Sequence, residues 1–214
     1  MNHLGIMVDV SHISKKSMLD AVRFSKAPVI ASHSSTRALC DVSRNLDDEQ
    51  LLALKNKGGV VQIVALGSFI KKSSPEKQAA IDSLRKGMDI IGFADWRKLT
   101  DELRNEYRQR TAELDEKWPR ANVQDFVNHI DYAVQLIGID HVGISSDFDG
   151  GGGIDGWNDA SETFNVTVEL VRRGYYEEDI AKLWGGNLLR VWREVERVAG
   201  WTLTEKNRKK RKQS

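Results

Sequence analysis

The chain has 214 residues with 40% hydrophobic and 29% charged content, an ordinary globular composition long enough to bury one sizeable core. Its 32 lysines and arginines nearly balance 31 aspartates and glutamates, so no global field points to nucleic acid, a membrane surface or an acidic substrate. The single cysteine, Cys40, excludes an internal disulfide, and no apolar run approaches the length of a membrane span.

Residues 5–10 form a short β-type run, after which Ser14 caps a helix with Met18, Leu19, Val22 and Phe24 on its apolar side. Residues 27–31 read as the next strand. A polar loop follows, then a helix from about Asp47 that carries Leu51, Leu52 and Leu54 and ends at Gly58-Gly59. Residues 59–66 give a third strand, and an amphipathic helix over 123–136 leads to a fourth at 140–145. Helices at about 160–173 and 177–198 close the fold. Near-continuous apolar strands separated by helices predict a parallel sheet covered on both faces, either doubly wound or a (β/α)8 barrel.

Two stretches break this rhythm. Residues at about 71–119 are highly charged, with Glu102, Glu106, Arg108 and Arg110 on a solvated helix, and read as an insertion between the third and fourth strands. Residues 204–214 carry a run of lysines and arginines expected to repel itself and stay disordered. The domain is therefore drawn as 1–203.

The reactive residue types sit at strand ends. The first strand finishes in Ser11-His12, the second in Ser32-His33-Ser34-Ser35, the fourth in Asp147-Phe148-Asp149-Gly150. In parallel α/β folds these ends gather on one face, so residues far apart in sequence can converge there. Two neutral imidazoles from adjacent strands can hold one zinc and leave positions for water or substrate. Each histidine alone reads more often as a hydrogen-bonded structural residue, and the matched strand-end positions bring the ligand reading level with it.

These segments resemble the membrane (renal) dipeptidase family. Residues 1–12 are similar to its internal segment with a strand-end histidine, 27–35 to its second histidine strand, and Ser43-Arg44-Asn45-Leu46-Asp47-Asp48 to its arginine loop. Residues 141–150 are similar to its catalytic aspartate strand, and Gly186-Asn187-Leu188-Leu189-Arg190-Val191 to its closing helix. The likeness runs from Met1 to about Ala199 in consistent order. It implies the C-terminal part of a TIM-like (β/α)8 barrel, about four strand-helix units.

The resemblance also implies zinc-dependent hydrolysis of dipeptides. His12 and His33 would bind the same one of two zinc ions, and Arg44 would grip the dipeptide carboxylate through its guanidinium fork. Asp147 would transfer the proton to the departing amine and contact the free amino group, while Asp149 fills the turn. A water bridging the two metals would be the nucleophile, so no serine or cysteine nucleophile is needed.

The departures bound this reading. The family's His-x-Asp pair, its bridging glutamate and a carbonyl-polarising histidine all precede the point where this sequence starts. The one His-x-Asp here, His129-Ile130-Asp131, lies in a helix where residues two apart diverge, and reads as structural. Phe69 stands near the position of a substrate-lining tyrosine. A complete barrel takes about 250 residues, so the expectation is a truncated, poorly active portion with at most one partly liganded zinc. Any signal peptide would lie in the missing half. An open sheet edge would invite dimerisation, so a homodimer is a partner to test for. The alternatives are a non-catalytic remnant or binding subunit, or another metal-dependent amidohydrolase on the same barrel.

Overall fold

The computed structural model describes residues 1–200, with the side chain of Phe93 excepted; the basic tail at 204–214 lies outside the described residues. Four parallel strands, β1 (Val8–Asp9), β2 (Val29–Ser34), β3 (Val60–Val64) and β4 (Val142–Ser145), form one sheet in the order β1-β2-β3-β4. The helices between them are α1 (Lys15–Phe24), α2 (Asp48–Asn56), and then α3 (Gly67–Ile70) to α7 (Val123–Ile137).

The cap anticipated at Ser14 is made, and the helix read from about Asp47 also begins with a cap. The Ser14 side chain accepts from the Ser17 amide at the start of α1. Asp47 and Gln50 form a reciprocal capping box at the start of α2. β1 is only two residues long, shorter than the apolar run at 5–10, and β4 is preceded by a 3-10 turn at Ile139–His141.

Alternation along the strands divides their side chains between the two faces. Val29, Ala31, Val61, Ile63 and Val142 pack with Met18 of α1, Leu51 and Leu54 of α2, and Phe126, Ile130 and Ile137 of α7. α8 (Thr163–Arg172) joins this layer through Val166 and Leu170. On the other face, Ile30 and Val60 meet Val191 and Val195 of α10 (Asn187–Val198).

α10 is pinned under the strands. Arg190 Nη1 donates to the Gly58 carbonyl at 2.8 Å and Nη2 to that of Asp140 at 2.7 Å. Asn187 Nδ2 donates to the Ile139 and Val142 carbonyls, each at 2.7 Å. The Asn-Leu-Leu-Arg motif thus fastens a helix across the N-terminal ends of β3 and β4. The helix expected as one piece over 177–198 is broken: α9 (Glu177–Ala181) passes into a π-type turn at Lys182–Gly186, where Gly185 leaves helical geometry, before α10 begins.

The charged stretch between β3 and α7 folds as helices. α4 (Pro75–Gly87) has Ser74 as its cap and proline in its first turn, α5 (Phe93–Trp96) is a single turn, and α6 (Asp101–Lys117) has no buried residue. Lys77 Nζ ties α4 to α6 by donating to Asp115 Oδ1 at 2.7 Å and to the Trp118 carbonyl at 2.6 Å. Among the described residues no helix is long and apolar enough to cross a membrane.

Candidate active site

The strand ends bring His12 and His33 together. Their ring centroids lie 4.6 Å apart and their Nε2 atoms 2.5 Å apart. Two backbone irregularities produce this encounter. His12 leaves β1 with φ 69, a left-handed conformation uncommon outside glycine. In β2, Ala31 pairs with Val61 but Ser34 pairs with Ile63, so two residues, Ser32 and His33, stand opposite the single Gln62.

Hydrogen bonds fix the surroundings. Asp9 Oδ1 accepts from the Ser11 and Ser32 amides at 3.0 and 3.1 Å, and Oδ2 accepts from the Ser32 hydroxyl at 2.6 Å. Ser32 Oγ also meets His33 Nδ1 at 2.7 Å. The buried Ser11 hydroxyl accepts from the His33 amide at 3.1 Å.

Arg44 enters from the loop between β2 and α2. Its Nη1 donates to His12 Nδ1, its guanidinium lies 5.4 Å from the centre of the Phe69 ring, and its buried Nε has no partner. Among the described residues it forms no ion pair with a carboxylate. Asn45 ties the loop down. Its side chain accepts from the Ser35 amide at 3.1 Å and donates to the Cys40 and Phe69 carbonyls, each at 2.8 Å. Sequence reasoning gave Asn45 no role, although a polar amide beside the arginine in a predicted loop was the available signal.

Asp147 follows β4 with φ 54, so two of the three non-glycine residues with positive φ belong to this constellation. Its carbonyl accepts from the Gly150 and Gly152 amides at 2.9 and 2.8 Å. The chain passes so close that a Cβ on Gly150 would stand 2.4 Å from the Asp147 carboxylate, and one on Gly152 would stand 1.9 Å from the Ser146 carbonyl oxygen.

Partial burial lowers the His12 pKa most, helped by the charges of Arg44 and His33 and opposed by those of Asp147 and Asp9. Burial likewise lowers the Arg44 pKa, against the same two carboxylates. A cavity of about 230 Å3 opens beside the pair, lined by Val10, His12, Ser34, Arg44, Leu46 and Gln50 among others.

Other sequence candidates point elsewhere. His129 is buried, with Nδ1 accepting from the Thr36 amide at 3.2 Å and Nε2 facing the Ile70 carbonyl at 3.0 Å. Asp131 instead binds Arg173 at 2.6 Å and the Tyr175 hydroxyl at 2.7 Å. Burial pushes the Cys40 thiol pKa up, which suits an inert thiol.

The donor types suit a metal: the Nε2 atoms of two imidazoles lie 2.5 Å apart. Nitrogens bound to one zinc at about 2.0–2.1 Å in tetrahedral geometry lie roughly 3.3 Å apart, so the rings need to part by only about 0.8 Å from their 2.5 Å separation. Among the described residues, no group of three or more His, Cys, Asp or Glu is placed to hold one ion.

A parallel α/β sheet with convergent imidazoles and a guanidinium at its C-terminal ends has the architecture on which metal-dependent hydrolases are built. The chain is a member of the membrane dipeptidase family, peptidase family M19, whose pattern matches residues 1–206. It is 34% identical over 200 residues to dipeptidase tcpJ of Claviceps purpurea, covering 93% of this chain and 37% of that protein. It is also 34% identical to an uncharacterized dipeptidase of Schizosaccharomyces pombe, covering 93% and 38%. The chain thus spans under two-fifths of the length of these relatives.

Among solved structures, the probable dipeptidase PvdM from Pseudomonas aeruginosa superposes with a TM-score of 0.75 at 42% identity, over 92% of this chain and 52% of that one. A metallo peptidase from Rhodobacter sphaeroides, liganded with a phosphinate mimic of the dipeptide L-Ala-D-Ala, superposes with a TM-score of 0.66 at 26% identity, over 91% and 44%. The parallel sheet is accordingly TIM-barrel-like, as in these dipeptidases.

Proposed function

We propose that this chain carries part of a zinc-dependent dipeptidase centre, with His12 and His33 as ligands of one zinc ion. Arg44 binds the substrate carboxylate. Asp147 contacts the free amino group and passes the proton to the departing amine. The observation that carries the reading is the convergence of two imidazoles with a half-buried guanidinium that has no carboxylate partner among the described residues. The family match favours it over another barrel amidohydrolase.

Each residue contributes a separate step. Arg44, stacked near Phe69, presents a planar fork whose charge persists at working pH and matches a carboxylate with two parallel hydrogen bonds. Asp147, held by the Gly150 and Gly152 amides, can take a proton from water and deliver it to the leaving nitrogen. Zinc, when bound, supplies Lewis acidity that lowers the pKa of water and stabilises negative charge on the carbonyl oxygen. Binding a dipeptide at both ends limits the substrate to two residues. Two imidazoles are the donors that converge among the described residues, so the expected site is at most one partly liganded zinc with poor dipeptide turnover.

Calorimetric titration with a phosphinate dipeptide mimic, with and without zinc, tests the reading. Binding should require zinc. Arg44→Lys should weaken it by about 10- to 150-fold, the loss of a charge-assisted bidentate contact. Zinc-independent binding, or equal affinity in Arg44→Lys, would overturn it.

A further inference from the structure

The contacts around the two histidines form one continuous chain: Arg44 Nη1, His12 Nδ1, His12 Nε2, His33 Nε2, His33 Nδ1, Ser32 Oγ, Asp9 Oδ2. Its ends are chemically fixed. A guanidinium has only protons to give, and an ionised carboxylate has only lone pairs to offer. With both rings neutral, every proton between those ends is therefore assigned. The Ser32 hydroxyl spends its hydrogen on Asp9, so its oxygen must accept from His33 Nδ1–H. His33 Nε2 is then the lone-pair nitrogen. At the other end, His12 Nδ1 accepts from Arg44, so its proton sits on Nε2 and points at His33.

We propose that Asp9, acting through the Ser32 hydroxyl, is the positioning residue that holds His33 as the Nδ1–H tautomer with its Nε2 lone pair turned toward His12. Asp9 is not a ligand itself: three donors from Ser11 and Ser32 already occupy its oxygens. The two histidines are consequently unequal. His33 offers a metal lone pair without moving its own proton, whereas His12 must move its proton from Nε2 and give up Arg44 before it can ligate. A histidine ligand whose other nitrogen donates to a carboxylate or its relay is fixed in orientation and made more basic. The consequence for metal affinity rests on the zinc reading above; the tautomer does not.

The 15N-labelled 214-residue chain tests this by long-range 1H–15N correlation of its imidazoles at about pH 8, above the ordinary histidine pKa. His33 should be protonated on Nδ1 in the unaltered chain and in Ser32→Thr, which keeps the hydroxyl. With His12 freed of its arginine by Arg44→Leu, His33 should stay Nδ1–H, and adding Ser32→Ala should move it to the Nε2–H form, while amide dispersion in the same samples shows that the fold persists. Zinc affinity, measured against a chromophoric chelator, should fall about 10- to 100-fold in Ser32→Ala and recover in Ser32→Thr. A His33 that stays Nδ1–H in the Arg44→Leu, Ser32→Ala double variant overturns the proposal, as does a zinc affinity unchanged by Ser32→Ala. Absence of zinc binding by the unaltered chain would instead overturn the metal reading, and the tautomer measurement alone would decide the relay.

Discussion

His129 offers the sharpest test of how the helix layer supports the β2 strand end. It sits on α7 with both ring nitrogens engaged, and Thr36, its partner, lies three residues beyond His33. Replacement by leucine would leave the Thr36 N–H and the Ile70 carbonyl without partners, at about 1–3 kcal/mol each, so His129→Leu should cost roughly 2–6 kcal/mol. That is a large share of the roughly 5–15 kcal/mol a domain has to lose. His129→Gln, which keeps a donor and an acceptor, should cost less. Burial lowers the pKa of His129 in the fold, only partly opposed by the Ile70 carbonyl and Asp125. Between the folded and unfolded pKa values the unfolded chain therefore binds more protons, so stability is complete above the ordinary histidine value near 6.5 and declines as pH falls below it. One group contributes a slope of at most about 1.4 kcal/mol per pH unit. His12 adds a term of the same sign, which the His129 substitution leaves in place. Urea unfolding across about pH 5 to 8 should show a steeper acid decline for the unaltered chain than for His129→Gln. Parallel curves would refute the argument that a neutral, acceptor Nδ1 is built into the fold.

Three further outcomes are expected. Asp147→Asn should leave zinc affinity intact and lower the kcat of any zinc-supported dipeptide hydrolysis by about 10²- to 10⁴-fold, because an amide cannot carry the proton; an unchanged kcat would remove Asp147 from the chemistry. Gly152→Ala should disturb the Asp147 turn, since its Cβ would meet the Ser146 carbonyl oxygen at 1.9 Å; retained affinity for the phosphinate mimic would show that the turn does not position Asp147. Sedimentation velocity should find self-association through the edge of β1, beside the exposed Met1, Leu4 and Ile6; a monomer at all concentrations would contradict it.

Much of this architecture was legible because it follows from local rules. Apolar runs and 3.6-residue periodicity located four strands and their covering helices, and Ser14 and Asp47 announced helix starts. Parallel strands put His12, His33 and Asp147 at one end of the sheet. Two features lay beyond those rules. The break at Lys182–Gly186 depends on how α10 must turn to place Asn187 and Arg190 under β3 and β4, which is a tertiary demand. The left-handed backbone at His12 and Asp147 is uncommon outside glycine, and no local pattern announces it.

The placement of His33 shows why a strand-end histidine in a sequence is an incomplete prediction. Strict alternation from Ala31, which faces the helix layer, would send Ser32 to the opposite face and return His33 toward α2 and α7. An imidazole directed there would displace apolar contacts and could not reach His12. The observed register resolves this. Ala31 and Ser34 pair with Val61 and Ile63, and Ser34 is buried like Ala31. Ser32 and His33 share the position opposite Gln62, on the face that also carries Asp9. One extra residue therefore puts the imidazole beside His12 on the face where the Ser32 hydroxyl already meets Asp9. Restoring regular alternation would leave Ser32 on the Asp9 face and turn His33 away from His12, so the bulge, more than the histidine's position in the sequence, makes the pair.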